Sequence, residues 1–490
     1  MTPQPAHPAP GSGPETTGRP WLILTLVCTA LFMTTLDNLV VTTALPRIRT
    51  DLNTSLPHLE WVLNAYTMSF AVLLLLGSAL GDRYGRRRVF TLGLTTFTLA
   101  SAAAALAPDT TLLIAARALQ GTGAAVLLPL SLTLTGEAFP GRDRGLALGI
   151  WAAANGLGVA LGPVVGGLVV NALSWRHVFW LNVPIGAIAV LAAHHILPTG
   201  TGPARRLDPA GAALVTTGLT ALLLALFFAP STGWLSAGVI TLLTAAAALL
   251  TGFVRWERRA REPMLPMRLF AVPAFRMINI TNVAMYFGTF GGIFLIAPFL
   301  QTVQGHSPLE AGLRMLPWTL MPLLVSPIAG IAGDRIGPRT LVATGLGLQA
   351  TAFGWLAAVL TPDLPFTALL GPAVLGGAGM ALVFPASAGV VLGAVHPHEA
   401  GQASGALNAL REAGGALGVA VLATVFVSAG GTTAPQDYTR GMVPALTVAA
   451  VLLGAAVLAA LRLPGPVRRT TSEPAYTAPV TADPPTARGR

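Results

Sequence analysis

The sequence contains no lysine, so all 29 basic residues are arginine. That absence excludes a Walker-type phosphate loop, whose lysine reaches the nucleotide phosphates, and a retinal pump, whose chromophore needs a lysine Schiff base. Intrinsic ATP hydrolysis and light are therefore ruled out as energy sources. A single cysteine, Cys28, excludes any intramolecular disulfide. The eight histidines show no zinc-ligand spacing. His194 with His195, and His396 with His398, fall at the ends of apolar runs or in a loop. Charge is scarce too: 10% of residues are charged, against roughly 25% in a soluble domain.

What replaces charge is hydrocarbon. Hydrophobic residues make up 53% of the chain and the mean hydropathy is +0.69, values that belong to a polytopic membrane protein. A net charge of +10 and a pI near 11.1 would suggest a nucleic-acid partner in a soluble protein. Here the arginines lie between apolar runs and mark topology, so no nucleic acid is expected. Runs long enough to span a bilayer occur at about 21–46, 59–81, 88–107, 110–136, 145–172 and 175–197, then at 208–229 and 233–255. Six more follow at about 275–303, 309–333, 339–361, 364–393, 399–430 and 441–462. About fourteen spans put both termini on one side. Residues 1–20 and 464–490 are Pro- and Thr-rich and are expected to be disordered cytoplasmic tails, with the first apolar run retained as a helix.

The chain is organised around a short charged loop between the second and third runs, from Gly77 through Gly81, Asp82, Arg83, Gly85 and Arg86 to Arg88. Its charges exclude it from hydrocarbon, and Gly77 and Gly81 allow close helix approach while Gly85 permits a tight turn. The pattern returns about 252 residues later, where Ala332 to Arg339 repeats Leu80 to Arg87 with Gly333, Asp334 and Arg335 in register. Leu119 to Gly123 with Pro129 matches Leu375 to Gly379 with Pro385, and Gly158 and Gly162 match Gly414 and Gly418, at a separation of about 256. The chain is thus read as a duplication: a six-helix bundle at 21–197, a linker with two extra spans at 198–274, and a second bundle at 275–463. Placing the charged loop in the cytoplasm puts most arginines inside, the orientation that positive loops adopt.

These residues resemble a known family. Gly77-x-x-x-Gly81-Asp82-Arg83-x-Gly85-Arg86-Arg87 is similar to the signature loop between helices two and three of the major facilitator superfamily. Further matches resemble its fourteen-span drug:proton antiporters, over about Trp21 to Leu463. The stretch Leu36 to Pro46 resembles their first-helix motif, which implies that Asp37 matters for transport; a structural hydrogen bond is the alternative. Leu113 to Gly123 resembles the fourth-helix motif linked to proton transfer, and Arg117 would then hold or displace a carboxylate proton, since guanidinium does not deprotonate. Gly158, Gly162, Pro163, Gly166 and Gly167 match the antiporter signature of exporters, a packing and gating element. Trp175 to Pro184 resembles the sixth-helix entry. Asn408 to Gly415 resembles the penultimate-span motif but carries Glu412 where an uncharged residue is expected, which leaves an ion pair with Arg411 or a second protonatable site.

In the second half Asn279, Asn282, Tyr286 and Thr289 recur at helical spacing and form one polar stripe, expected to face a cavity. Trp61, Asn64, Phe70, Phe290, Trp318 and Asn408 are candidates for the same cavity, interhelical packing being the alternative for each. Asp82 and Asp334 are expected at gates. The resemblance implies an all-α proton-coupled antiporter of the bacterial cytoplasmic membrane. It would export amphiphilic drugs or antibiotics by alternating access, and need no cofactor, metal or ATPase subunit. A narrow exporter or uptake carrier for one metabolite, and a membrane sensor, are the alternatives.

Overall fold

The computed structural model describes residues 19–140, 143–198, 208–396, 399–431 and 434–465. Among them fourteen helices are long and apolar enough to cross a membrane. They are α1 Arg19–Asp51, α2 His58–Tyr84, α3 Arg86–Ala105, α4 Thr110–Ala138, α5 Arg144–Val170, α6 Arg176–Ile196, α7 Pro209–Thr232 and α8 Ala237–Glu257. The second set is α9 Pro273–Val303, α10 Leu309–Gly333, α11 Pro338–Val359, α12 Phe366–Gly393, α13 Ala400–Ser428 and α14 Pro435–Ala460.

Helix ends depart from the hydropathy boundaries where a local bond outweighs hydropathy. α1 continues through Pro46 to Asp51, because the Asp51 carboxylate accepts from Trp175 Nε1 at 2.8 Å and Arg176 Nη1 at 2.6 Å. α14 starts at Pro435, earlier than the apolar run, since proline at the first helical turn sacrifices no hydrogen bond. Prolines also interrupt spans. α6 breaks at Leu181, before Pro184, and α10 at Leu320, before Pro322. After Pro298, α9 ends in a π-turn at Phe299–Val303.

The duplication is explicit in the packing. α1 packs on α4, α5 and α6, α2 on α4, and α3 on α4 and α6; α9 packs on α12, α13 and α14, α10 on α12, and α11 on α12 and α14. Every pair in the first set has its counterpart in the second. The two six-helix bundles meet along two seams, α5 against α10 and α2 against α13, which are the same pair of elements exchanged. The charged loop is a tight turn in both copies: Gly85 has φ 92° and Gly337 φ 82°, backbone that side-chain-bearing residues rarely adopt. The inserted hairpin α7–α8 lies on the α2/α13 seam, with Phe227 against Trp61 at 5.9 Å and Trp234 Nε1 donating to Thr424 Oγ1 at 2.7 Å.

Small residues set the helix spacing inside each bundle. A Cβ on Gly418 would lie 2.2 Å from the Phe287 carbonyl oxygen of α9, so that α13 and α9 touch through backbone. Gly418→Ala is therefore expected to destabilise the second bundle by about 1–3 kcal/mol, the usual cost of forcing volume into a packed core. A thermal-melt comparison in detergent checks it. Leu92, Leu99, Leu119, Ile188 and Leu191 are exposed, as befits side chains turned toward lipid.

Candidate transport site: a buried ion pair beside a central cavity

Within the first bundle four helices bring polar groups to one point. Asp37 of α1, Arg117 and Gln120 of α4, Ser101 of α3 and Asn182 of α6 are all buried. Arg117 Nη1 donates to Asp37 Oδ2 at 2.5 Å and to Gln120 Oε1 at 2.9 Å, while its Nε donates to the Val62 carbonyl at 3.1 Å. The other carboxylate oxygen, Asp37 Oδ1, accepts from Asn182 Nδ2 at 2.7 Å and Gln120 Nε2 at 3.2 Å. Gln120 also donates to Ser101 Oγ at 2.6 Å. The guanidinium carbon sits 4.3 Å from the centre of the Tyr66 ring.

An ion pair removed from water is tolerable only when its remaining lone pairs and protons are bonded, and removal of one partner costs roughly 3–5 kcal/mol. Here the carboxylate accepts three N–H bonds, which meets that condition on the acid's side. Arg117 Nη2 has no hydrogen-bond partner among the described residues. The sequence pointed to Asp37 and Arg117 separately; the structure joins them and places both off the cavity. Gln120 and Asn182 stood inside the quoted motifs with no role, and only their convergence on Asp37 assigns one.

Next to the pair lies a cavity of about 250 Å³ with walls from both bundles. Tyr66 lies between them: it lines the cavity, carries Arg117 over its ring, and donates its hydroxyl to the Thr34 carbonyl at 3.1 Å. Of the expected cavity residues, Phe70, Tyr286, Thr289, Phe290, Trp318 and Asn408 line it, and Glu412, expected as an ion-pair partner or a protonatable site, lines it too. Thr34, Thr35, Asn38 and Asn155, unassigned from sequence, add a neutral polar wall in the first bundle, with Thr35 Oγ1 donating to Asn155 Oδ1 at 2.7 Å. A lone Asn inside an apolar run was the available signal for Asn155.

Four expected lining residues lie elsewhere. Trp61 packs on α7, and Asn64 is half-buried away from the cavity lining. Asn279 donates to the Phe275 carbonyl at 2.7 Å. Asn282 is fully buried, accepting from Arg411 Nε at 2.8 Å and donating to Ser387 Oγ at 2.8 Å. The stripe from Asn279 to Thr289 is about 15 Å long at 1.5 Å per residue, and only its later part reaches the cavity. Arg411 and Glu412 attract each other electrostatically without direct contact. Arg411 turns inward to Asn282 and sits 4.5 Å from the Phe384 ring, whereas Glu412 opens into the cavity, with no salt bridge between them. Adjacent helical residues diverge by about 100°.

The hinge residues are distributed as follows. Asp82 accepts from Arg86 Nη2 at 3.1 Å, and Arg86 also pairs with Glu137 at the end of α4. A Cβ on Gly401 would lie 2.5 Å from Asp82 Oδ2, so the carboxylate faces the N-terminus of α13, where partial positive charge suits it. Arg83 sits 5.8 Å from the Tyr84 ring and Arg335 is exposed. Gly77 and Gly81 admit α4, since a Cβ there would lie 2.7 Å from the Ala125 oxygen and 2.4 Å from Leu130 Cδ2. Gly158, Gly162 and Gly166 likewise admit α1, with Cβ positions 2.9, 2.5 and 2.2 Å from Thr35, Leu39 and Thr43. Gly167 is roomier, 3.7 Å from Leu309, and Gly333 meets Leu341 at 3.4 Å. The side chains of Pro163 and Asp334, and His398, lie outside the described residues.

The molecule thus consists of two bundles of six helices, a charged glycine turn repeated between the second and third helix of each, and a cavity walled by both. The family model of the Major Facilitator Superfamily matches residues 27–418 and again 278–482. The chain belongs to the Major Facilitator Superfamily. It is a multi-pass membrane protein of that transporter superfamily with fourteen candidate spans. The cephamycin export protein of Amycolatopsis lactamdurans is 39% identical over 471 residues, covering 93% of this chain and 95% of that one. The tetracenomycin C resistance and export protein of Streptomyces glaucescens is 34% identical, with 90% and 81% covered. The puromycin resistance protein of Streptomyces alboniger is 37% identical, with 91% and 88% covered. Among solved structures, a double-tryptophan variant of XylE superposes with a TM-score of 0.65 at 15% identity, over 91% of this chain and 96% of that one. The human organic anion transporter MFSD10 superposes at 0.62 and 19% identity, over 90% and 99%. Both show the shared fold.

Proposed function

We propose that this superfamily member exports amphiphilic drugs or antibiotics across a bacterial cytoplasmic membrane in exchange for protons, with both termini in the cytoplasm. The observation that carries the reading is the buried Asp37–Arg117 pair, one tyrosine ring away from a cavity walled by both bundles. The export and resistance proteins among its relatives support the substrate class. A proton reaching Asp37 neutralises the acid and leaves the Arg117 charge without its anion. Relief comes from a rearrangement of α1 against α4, and α1 supplies part of the cavity wall. Proton and substrate thereby act on the same helix, which couples their fluxes. The two bundles then rock about the α5/α10 and α2/α13 seams, exposing the cavity to one side at a time. Energy comes from the proton gradient, so neither a cofactor nor an ATPase subunit is required.

The test is accumulation of antibiotics in cells expressing the protein, with and without a protonophore. The expected result is lowered accumulation of at least one compound, restored to the level of non-expressing cells when the gradient is collapsed. Export that persists in full without a gradient would overturn proton coupling and leave the fold intact.

A further inference from the structure

The inserted hairpin α7–α8 takes no part in the proposed transport cycle, yet its two ends nearest the charged turns bring together a pair of acids. Glu257, the last residue of α8, is only 3% exposed. Its Oε2 accepts from the Leu265 amide at 3.0 Å, while Oε1 is buried with no hydrogen-bond partner among the described residues. Glu257 Oε1 and Asp208 Oδ2 each lie 2.6 Å from the one point where a Cβ on Gly211 would stand, so the two carboxyl groups face each other across that glycine. Asp208 caps α7, accepting from the Gly211 amide at 2.8 Å, and Trp256 Nε1 donates to both of its oxygens at 2.9 and 2.8 Å.

No described cation compensates the pair. Arg255 and Arg258 at the end of α8, and Arg259, Arg261 and Glu262 in the connector that follows, are exposed. None of these arginines forms a salt bridge with either acid, and Arg268 pairs with Glu399 instead. Arg205 and Arg206, which precede Asp208, lie outside the described residues. Among the described residues Asp208 is the one charged group that acts on Glu257. Two carboxylates that face each other with one of them out of water do not both ionise; they hold a proton between them, and the better-bonded group keeps the charge. Asp208 accepts from two N–H groups and holds the charge. Glu257 Oε1 has no donor, so it carries the proton and directs it at Asp208 Oδ2.

The position of the pair gives that proton a consequence. Glu257 Oε2 fixes the connector at Leu265, and two residues earlier the Pro263 carbonyl accepts from Gln402 Nε2 at 3.1 Å. Gln402 stands in the first turn of α13, beside Gly401, the residue that Asp82 faces. Met264 and Leu265 are buried between these two bonds. A short path therefore runs from the ends of the hairpin through the connector to the start of α13, one wall of the α2/α13 seam. Loss of the proton sets two anions against each other, which forces the ends of α7 and α8 apart and slackens the connector.

We propose that Asp208 and Glu257 form a proton-binding site outside the central cavity, through which the pH on the side of the charged turns governs how firmly the inserted hairpin is tied to α13. Protonated, the pair fastens α7, α8 and the connector together; deprotonated, it releases them. The site touches neither the cavity nor Asp37, and the proposed orientation places it on the cytoplasmic face.

The experiment follows the purified full-length protein in lipid nanodiscs as the pH rises through neutrality, by infrared absorption of protonated carboxyl groups, by melting temperature and by amide exchange at residues 263–265. Subtracting the spectrum of Glu257→Gln from that of wild type is expected to leave one protonated-carboxyl band at neutral pH, which fades as the pH rises. A proton bound in the folded protein and absent from the unfolded chain stabilises at low pH and ceases to do so as it is lost, so the wild-type melting temperature should fall by a few degrees over the same interval. Amide exchange at 263–265, corrected for its intrinsic rise with pH, should accelerate there too. Glu257→Gln can donate its amide to Asp208 and accept from Leu265 without titrating; it should match wild type at low pH and show neither change. Asp208→Asn keeps an acceptor for the Gly211 amide and removes the facing charge, and should move the fading of the band to lower pH. A neutral-pH difference spectrum without a protonated band, or identical pH dependence of melting and exchange in wild type and Glu257→Gln, would overturn the proposal. Either result leaves the export reading standing, since its acid is Asp37, and export that ignores a protonophore would leave this site standing in turn.

Discussion

Asp37→Asn is expected to abolish proton-driven export while leaving the cavity able to bind. In everted vesicles the variant should give no substrate-dependent collapse of a proton gradient, and substrate moving down its own gradient should still cross. The physical reason is the isolation of the pair. The amide oxygen introduced by the substitution can still accept from Asn182 and Gln120, but the amide cannot gain or lose a proton and it leaves the Arg117 guanidinium buried without an anion. Breaking such a pair costs roughly 3–5 kcal/mol, so the melting temperature should fall as well. That fall must be separated from the loss of coupling. The double variant Asp37→Asn with Arg117→Gln removes both charges and is expected to recover most of the stability and none of the coupling. If the double variant regains proton-driven export, Asp37 is a structural ion-pair partner only.

Gly330→Ala is expected to cut transport about tenfold with little loss of folded protein, because its strain falls between the bundles. A Cβ at Gly330 would lie 2.0 Å from the Gly145 backbone oxygen of α5, and neither backbone can yield without the helices parting. The conformation described here has α5 and α10 in contact at that point. Overpacking of about 1–3 kcal/mol therefore penalises this conformation and spares one in which the seam is open. A shift of about 1.4 kcal/mol is about tenfold in population, and a carrier that must visit both states slows accordingly. Electron-spin distances between labels on the Arg144 end of α5 and the Gly333 end of α10 should lengthen in the variant. Gly418→Ala is the control, since its clash lies within one bundle and burdens both states alike. A Gly330→Ala protein that loses stability as Gly418→Ala does, or transports as wild type, would remove the α5/α10 seam from the moving parts.

Much of this protein was legible along the chain because the controlling physics is local. A bilayer core fixes the length of an apolar run, so hydropathy alone delivered fourteen spans. Gly85 and Gly337 mark the same turn because a positive φ excludes side chains at single positions. Asp37 and Arg117 were conspicuous because an ionisable group inside an apolar run is expensive wherever it points. The boundaries that moved did so for equally local reasons, a proline at the first turn of α14 and the bonds that hold Asp51 beyond Pro46.

The remainder depended on the rotation of each helix about its own axis, which hydropathy does not specify when a span is apolar all round. Arg411 and Glu412 are neighbours in sequence, yet about 100° of helical rotation sends one into a buried network and the other into the cavity. Asn279 and Thr289 share a helical stripe, but only the latter lines the cavity. Asn182 reaches Asp37 from 145 residues away, and Trp61 left the cavity because the inserted hairpin α7–α8 offered it Phe227. The sequence by itself determined how many helices there are, where they turn and which residues are too costly to be idle. The tertiary structure alone decided which of those residues meet, because that depends on which neighbour each helix face finds.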